Sequence, residues 1–170
     1  MLLGIEIGGT KLQLGVGPGT GPPLVELERH DVKPQEGAEP IRRQIVELAR
    51  PMIERHGVTA IGIGFGGPVD AGTGRTITSH QVQGWDDFPL RDWCRETFGL
   101  PTVVANDSDS AGLAEARFGA GQGHRVVFYT NVGSGIGGAL VIDGQLYRGG
   151  SGVASELGQL RPGLQSDQPD

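Results

Sequence analysis

The stretch GIEIGGTKLQLGV, residues 4–16, constrains the fold more than any other. On both flanks apolar residues alternate with others, the period of a half-buried strand. Between the flanks stand Gly8, Gly9, Thr10 and Lys11. Strand, bare glycine turn and strand make a hairpin whose tip leaves backbone N–H groups open to a ligand. The same form returns in NVGSGIGGALVIDG, residues 131–144, with Ser134 at the tip. Two such hairpins, far apart in sequence, predict two similar lobes facing one ligand.

Glycine sets the second constraint. The chain holds 31 glycines and 11 prolines in 170 residues, close to the ~25–30% share of disordered low-complexity chains. Here the glycines gather at the ends of apolar runs, as in IGIGFGGPVD at 61–70. That is turn chemistry and close backbone approach, the mark of a folded ligand-binding protein. The length suits one domain, or one lobe and part of another. A net charge of −6 and a pI near 5.2 argue against a nucleic-acid or anionic-membrane partner, which would call for a basic face. The single cysteine, Cys94, excludes a disulfide framework and reads as buried apolar filler. The start, MLL, has no basic segment and no long apolar run. No signal peptide or membrane span is expected, and the default compartment is the reducing cytoplasm.

Periodicity predicts a hairpin over 2–7 and 12–16, a third strand over 24–32 and a helix over 38–56. Pro40 suits that helix's first turn, Pro51 predicts a kink or early stop, and Gly57 follows its end. Strands follow at 59–65 and 75–78, then a helix at 90–98 stopped by Gly99, and a strand at 102–105. A helix enters through Asn106 or Asp107, and a second hairpin covers 125–132 and 136–142. After Gly149 the chain reads as loop with a short helix. This order fits a mixed α/β sheet with helices.

Three glycine architectures hold phosphate on backbone N–H groups. The Walker loop needs GxxxxGK[ST], which does not occur. GxGxxG occurs twice, at Gly62-Gly64-Gly67 and Gly133-Gly135-Gly138, but in so glycine-rich a chain each match is weak. The second leads into a strand rather than the helix the fingerprint requires. The third architecture is a pair of β-hairpins cupping phosphate between two lobes, and both hairpins here have that form. In VVANDSDSAGLAEARFG, residues 103–119, Asp107 follows an apolar strand and opens a helix. An N-cap alone would explain it. Yet catalytic groups of α/β folds collect at strand ends, and a helix N-terminus favours the carboxylate form. Such a group suits a phosphoryl transfer, orienting a hydroxyl and taking its proton. The two roles are compatible.

At this point the strings GIEIGGTK, GIGFGGPVD, ANDSDSAGLAEARFGAG, NVGSGIGGALVIDGQLYRG and ASELGQ resemble, in order, the ROK family of sugar kinases and sugar-responsive repressors. The resemblance runs from Leu3 to about Gln159. It implies the actin-like, ribonuclease-H-like α/β fold, here as the first lobe plus the start of the second. Residues 1–118 would hold the first phosphate hairpin and the catalytic Asp. Residues 119–170 would begin the second lobe, with GAGQG at 119–123 as hinge. The resemblance implies ATP and Mg²⁺ as cofactors and a hexose, glucose-like or an N-acetyl-hexosamine, phosphorylated at its 6-hydroxyl. Gly9, Thr10 and Lys11 would face the ATP phosphates, as would Gly133, Ser134 and Gly135. Asp107 matches the general base. Gly66, Asn106, Glu156 and Gln159 match sugar-binding positions, and Glu6 an acidic residue near the metal.

Two departures matter. Gln159 replaces the histidine of the family's AGE(I/L)GH string, and a neutral amide is a poor zinc ligand, so no structural zinc is expected. Gln81, in TSHQVQGWDDFPL, stands where the family has an Asn before Gly-Trp, which leaves the sugar open. His30, His56, His80 and His124 form no ligand pair in the sequence and read as surface or core. Family members run to nearly twice this length. The chain therefore reads as the N-terminal portion of a hexose kinase, inactive alone, with a homodimer expected of the full protein. The alternative is a non-catalytic sugar-sensing or transcriptional module of the same family.

Overall fold

The computed structural model describes residues 1–133, 135–150, 155 and 158. Its first hairpin is β1 (Leu2–Ile7) and β2 (Lys11–Gly17), followed by β3 (Glu26–Asp31). A short 3₁₀ turn at Pro34–Glu36 leads into α1 (Ala38–His56). Then come β4 (Ala60–Phe65), the two-residue strands β5 (Val69–Asp70) and β6 (Arg75–Thr76), and α2 (Leu90–Phe98). The next elements are β7 (Thr102–Asn106), α3 (Asp107–Phe118), β8 (Val126–Val132), β9 (Ile136–Ile142) and β10 (Gln145–Leu146). The expected mixed α/β architecture is present.

The main sheet has five strands in the order β3-β2-β1-β4-β7. β1, β4 and β7 run parallel, and β2 and β3 are antiparallel additions. One face of the sheet is continuously apolar: Leu3, Ile5, Ile7, Leu12, Leu14, Ile61, Ile63 and Phe65 are all buried. Helix α1 meets it with Ile41, Ile45, Ala49 and Met52, one stripe at helical spacing. Helix α3 lies against β4 and β7 and also packs on β8 and β9 of a separate three-stranded sheet. Among the described residues no helix is long and apolar enough to cross a membrane.

Pro51 does not stop α1, which continues to His56, so of the two expected effects the early stop does not occur. Proline removes only the N–H that would reach the Glu47 carbonyl. Both residues are exposed, so water can satisfy that oxygen. Gly57 and Gly99 end their helices in the left-handed region, at φ 58° and 68°, as the sequence indicates. The third strand starts at Glu26 rather than at 24, although the Val25 N–H still reaches the Val16 carbonyl at 2.8 Å. Neither GxGxxG string opens a helix. Gly62 and Gly64 lie inside β4, and Gly138 lies inside β9.

The loop between β6 and α2 is fastened from α1. Trp85 is buried edge-on to Phe65 and Phe88, with centroids 5.5 and 5.4 Å away. The Arg42 guanidinium lies 4.6 Å from the Phe88 centroid, and its Nη1 donates to the Gly84 carbonyl at 3.2 Å. Truncating a buried Trp costs roughly 3–5 kcal/mol, so this anchor holds the loop that carries Gln81.

At the far end of α1, His56 Nε2 donates to Glu26 Oε2 at 2.5 Å and Arg55 Nη1 donates to Oε1 at 2.6 Å. The His56 hydrogen bond, then Arg55, holds the Glu26 carboxyl below the usual carboxylate range. A lowered folded pKa contributes stability above the unfolded value, and that stability is lost as pH falls through the folded one. Glu26→Gln is therefore expected to lower Tm at neutral pH. The gap from wild type should close as pH falls below about 4.5, the carboxyl's ordinary value. Melting curves across pH 3–7 check this, and a gap independent of pH would exclude it.

Candidate active site

The register of the parallel strands sets the site. Ile7 pairs with Phe65, and Phe65 pairs with Asn106. The loops that follow, Gly8-Gly9, Gly66-Gly67 and Asp107 at the head of α3, therefore leave one edge of the sheet side by side. The carboxyl ends of parallel strands are where open α/β sheets hold ligands.

Asn106 is the N-cap of α3. Its Oδ1 accepts from the Ser108 and Asp109 N–H groups at 2.9 and 3.2 Å. Its Nδ2 donates to the Gly67 carbonyl at 3.1 Å and the Phe65 carbonyl at 3.5 Å. Both ends of the amide thus hold backbone, and the strand-to-helix turn is fixed by this one side chain. Asp107 is not the cap. It is the first helical residue, half-buried, with Oδ1 accepting the Ser108 N–H at 2.7 Å.

Gly66 sits between Asp107 and the first hairpin. Its N–H donates to the Ile7 carbonyl at 2.8 Å. A Cβ at Gly66 would lie 3.2 Å from that carbonyl oxygen, 3.4 Å from Gly8 Cα and 3.4 Å from Asp107 Oδ2. At Gly64 a Cβ would lie 3.5 Å from Asp107 Cα. Glu6, exposed on β1, pairs with Gly64 across the parallel ladder, so it lies on the same side of the sheet. Its Oε2 accepts from Gln13 Nε2 at 2.8 Å.

The first hairpin closes with the Gly8 N–H donating to the Lys11 carbonyl at 2.9 Å, leaving Gly9 and Thr10 as its tip. Thr10 and Lys11 are exposed. Gly9 is not in the left-handed region. A side chain there is opposed by Gln81, whose Oε1 stands where the Cβ would be. The second hairpin closes with the Gly133 N–H on the Gly135 carbonyl at 2.8 Å, and both glycines are exposed. Ser134, Glu156 and Gln159 lie outside the described residues.

The second hairpin reaches α3 through side chains that sequence reading overlooks. Ser108, 6% exposed, lies with its Oγ 3.2 Å from Asn131 Oδ1 on β8 and 3.3 Å from Asp107 Oδ1. A Cβ at Gly137 would fall on that hydroxyl. One helical turn on, a Cβ at Gly112 would lie 2.5 Å from Ala139 Cβ and 3.1 Å from Tyr129 Cβ. Small residues at 108 and 112 form one face of α3, the sole sequence signal of this contact. After α3, residues 119–123 fold onto its last turn: the Gly119 and Gly121 N–H groups both donate to the Glu115 carbonyl, at 3.0 and 3.1 Å.

Comparison with known proteins adds the lineage. Residues 2–168 match the ROK family model. The chain is 34% identical to a glucokinase of Streptomyces coelicolor over 161 residues, 95% of this chain and 50% of that protein. It is 27% identical to a xylose repressor of Caldicellulosiruptor bescii, covering 98% of this chain and 42% of the repressor. Among solved structures it superposes on a ROK family glucokinase from Streptomyces griseus in complex with glucose and AMPPNP. There the TM-score is 0.84 and the identity 36%, over 95% of this chain and 50% of that one. The chain thus spans about half the length of these relatives.

Proposed function

The chain belongs to the ROK family, and from that premise we propose that its full-length protein transfers the γ-phosphoryl group of ATP to the 6-hydroxyl of a glucose-like hexose or N-acetyl-hexosamine. The observation that carries this is the meeting of three loops at one sheet edge: the first glycine hairpin, Gly66 and Asp107. The family's kinases and the glucose and AMPPNP bound by the Streptomyces griseus relative support the same substrates.

In this reading the N–H groups of Gly9, Thr10 and Gly135 cradle the phosphates, with Lys11, Gly133 and Ser134 beside them. Asp107 Oδ1 is held by the Ser108 N–H, which leaves Oδ2, beside Gly66, to receive the sugar's proton. As the bond from O6 to the γ-phosphorus forms, the bond from that phosphorus to its bridging oxygen breaks. The proton passes from O6 to Oδ2, and ADP departs. Asn106 positions Asp107 by fixing the turn. Glu156 and Gln159 are proposed as sugar contacts, and residues 119–123 as the hinge between lobes. Magnesium, when bound, would supply positive charge to offset that of the phosphates. It needs only one or two carboxylates besides phosphate and water, and Glu6 would supply one. Among the described residues no cluster of three or more His, Cys, Asp or Glu side chains could hold a metal unaided.

The test is an ATP-dependent phosphorylation screen of the full-length protein against glucose, mannose and N-acetyl-hexosamines. Turnover of at least one, with product carrying a 6-phosphate, is the expected result. The likeness to the xylose repressor favours a second reading, sugar binding without transfer. Calorimetric sugar binding with no ADP formed would select it.

A further inference from the structure

Ser108 is one of three buried polar residues among those described, with Thr76 and Thr102. The hydroxyls of Thr76 and Thr102 donate to backbone carbonyls of their own neighbourhood. The Ser108 hydroxyl instead stands between two side-chain acceptors, one on its own helix and one on the second sheet. Asp107 Oδ1 is 3.3 Å away on the main-sheet side, and Asn131 Oδ1 is 3.2 Å away on β8. The hydroxyl carries one proton, so it can donate to only one of them at a time. Gly137 gives it the room, since any Cβ there would occupy its place.

We propose that Ser108 is a positioning residue for Asp107 and that Asn131 is its alternative acceptor, tying the second hairpin to the proposed base. This rests on the reading of Asp107 as base. While Asp107 is a carboxylate, the hydroxyl donates to Oδ1, because a hydrogen bond to an ionised acceptor is the stronger one. Together with the Ser108 N–H it fixes the carboxylate and turns Oδ2 toward Gly66. A hydrogen bond that favours the carboxylate would by itself oppose proton uptake. Asn131 lessens that opposition. Once Oδ2 holds the sugar's proton, Oδ1 becomes a weaker, neutral acceptor, and the hydroxyl turns to Asn131 instead of being left unsatisfied in a buried place. No covalent bond of Ser108 or Asn131 changes.

The experiment is a double-mutant cycle on the full-length protein with Ser108→Ala, Asn131→Ala and the double variant, and Asp107→Asn as reference. Ser108→Ala is expected to lower kcat roughly ten- to a hundredfold, because Oδ2 is then no longer held toward the sugar's hydroxyl and small misplacements of a reacting group cost on this scale. KM for sugar and for ATP should stay within about threefold, because Ser108 is proposed to touch neither substrate and to act only through the orientation of Asp107. Asn131→Ala, an exposed position that leaves the core alone, is expected to lower kcat by about three- to tenfold. The double variant should be no slower than Ser108→Ala, because Asn131 acts only through that hydroxyl. Multiplying single effects would overturn the link. Wild-type kcat in Ser108→Ala, beside an inactive Asp107→Asn, would overturn the inference alone. An active Asp107→Asn would overturn the base reading, and the inference with it.

Discussion

Asp107→Ala in the full-length protein is expected to lower kcat by at least about 10²-fold, the scale of a positioned general base, with little change in sugar affinity. The fold should tolerate the change. Asp107 is half-buried, and the cap that holds the turn is Asn106, not Asp107. Loss of activity in this variant therefore cannot be assigned to a lost helix cap. Asn106→Ala provides the contrast. It would remove the amide's hydrogen bonds to the Ser108 and Asp109 N–H groups and to the Phe65 and Gly67 carbonyls together, and a lost N-cap is worth about 1 kcal/mol. Its effect should appear first in Tm. Steady-state kinetics and melting curves on both variants check the pair. A kcat above a tenth of wild type in Asp107→Ala would remove Asp107 from the base role.

How much of this was legible in the sequence depends on the range of the interaction. The two hairpins, α1, α2 and α3 follow from alternation, helical spacing and glycine stops, all set within a few residues of each other. The two-residue strands β5, β6 and β10 are too short to show a period, so β5 and β10 left no signal and β6 was drawn too long. Pro51 does not stop α1 because it and Glu47 both lie on the side away from the apolar stripe, where water can take the carbonyl left unpaired. Asn106 and Asp107 were equally plausible helix entries. What separated them was the reach of the Asn106 amide to the Gly67 carbonyl, across the parallel ladder from β7 to β4. Ser108 and Asn131 were illegible for the same reason: they are 23 residues apart and meet only because α3 packs on the second sheet. The motif resemblance singled out the first hairpin, Gly66 and Asp107 among other positions, and the strand register supplies the reason these three leave one sheet edge together.

Gly66→Val is expected to lower kcat/KM for sugar phosphorylation by more than about 10²-fold, through misplacement of reacting groups rather than loss of any one of them. Gly66 has no need of glycine for backbone conformation, since its φ lies outside the left-handed region. What excludes a side chain there is crowding on three sides. A Cβ would meet the Ile7 carbonyl at 3.2 Å, Gly8 Cα at 3.4 Å and Asp107 Oδ2 at 3.4 Å. Alanine would press only lightly on these atoms, because 3.2 Å is tight but yields with a shift of a few tenths of an ångström. Valine adds two methyl groups, which must go toward the hairpin tip, toward Oδ2, or toward both. The first displaces the proposed phosphate site and the second covers the oxygen that would take the sugar's proton. Overpacking of this kind costs typically 1–3 kcal/mol, so the variant should still fold, with a lowered Tm. The expected order of activity is wild type, Gly66→Ala, Gly66→Val, with the step between the last two the larger. Nucleotide binding by calorimetry divides the mechanism: weakened ATP binding with valine points to the hairpin, and unchanged binding with lost turnover points to Oδ2. A folded Gly66→Val variant with wild-type kcat/KM would show that neither the hairpin tip nor Asp107 takes part in the reaction at this edge of the sheet.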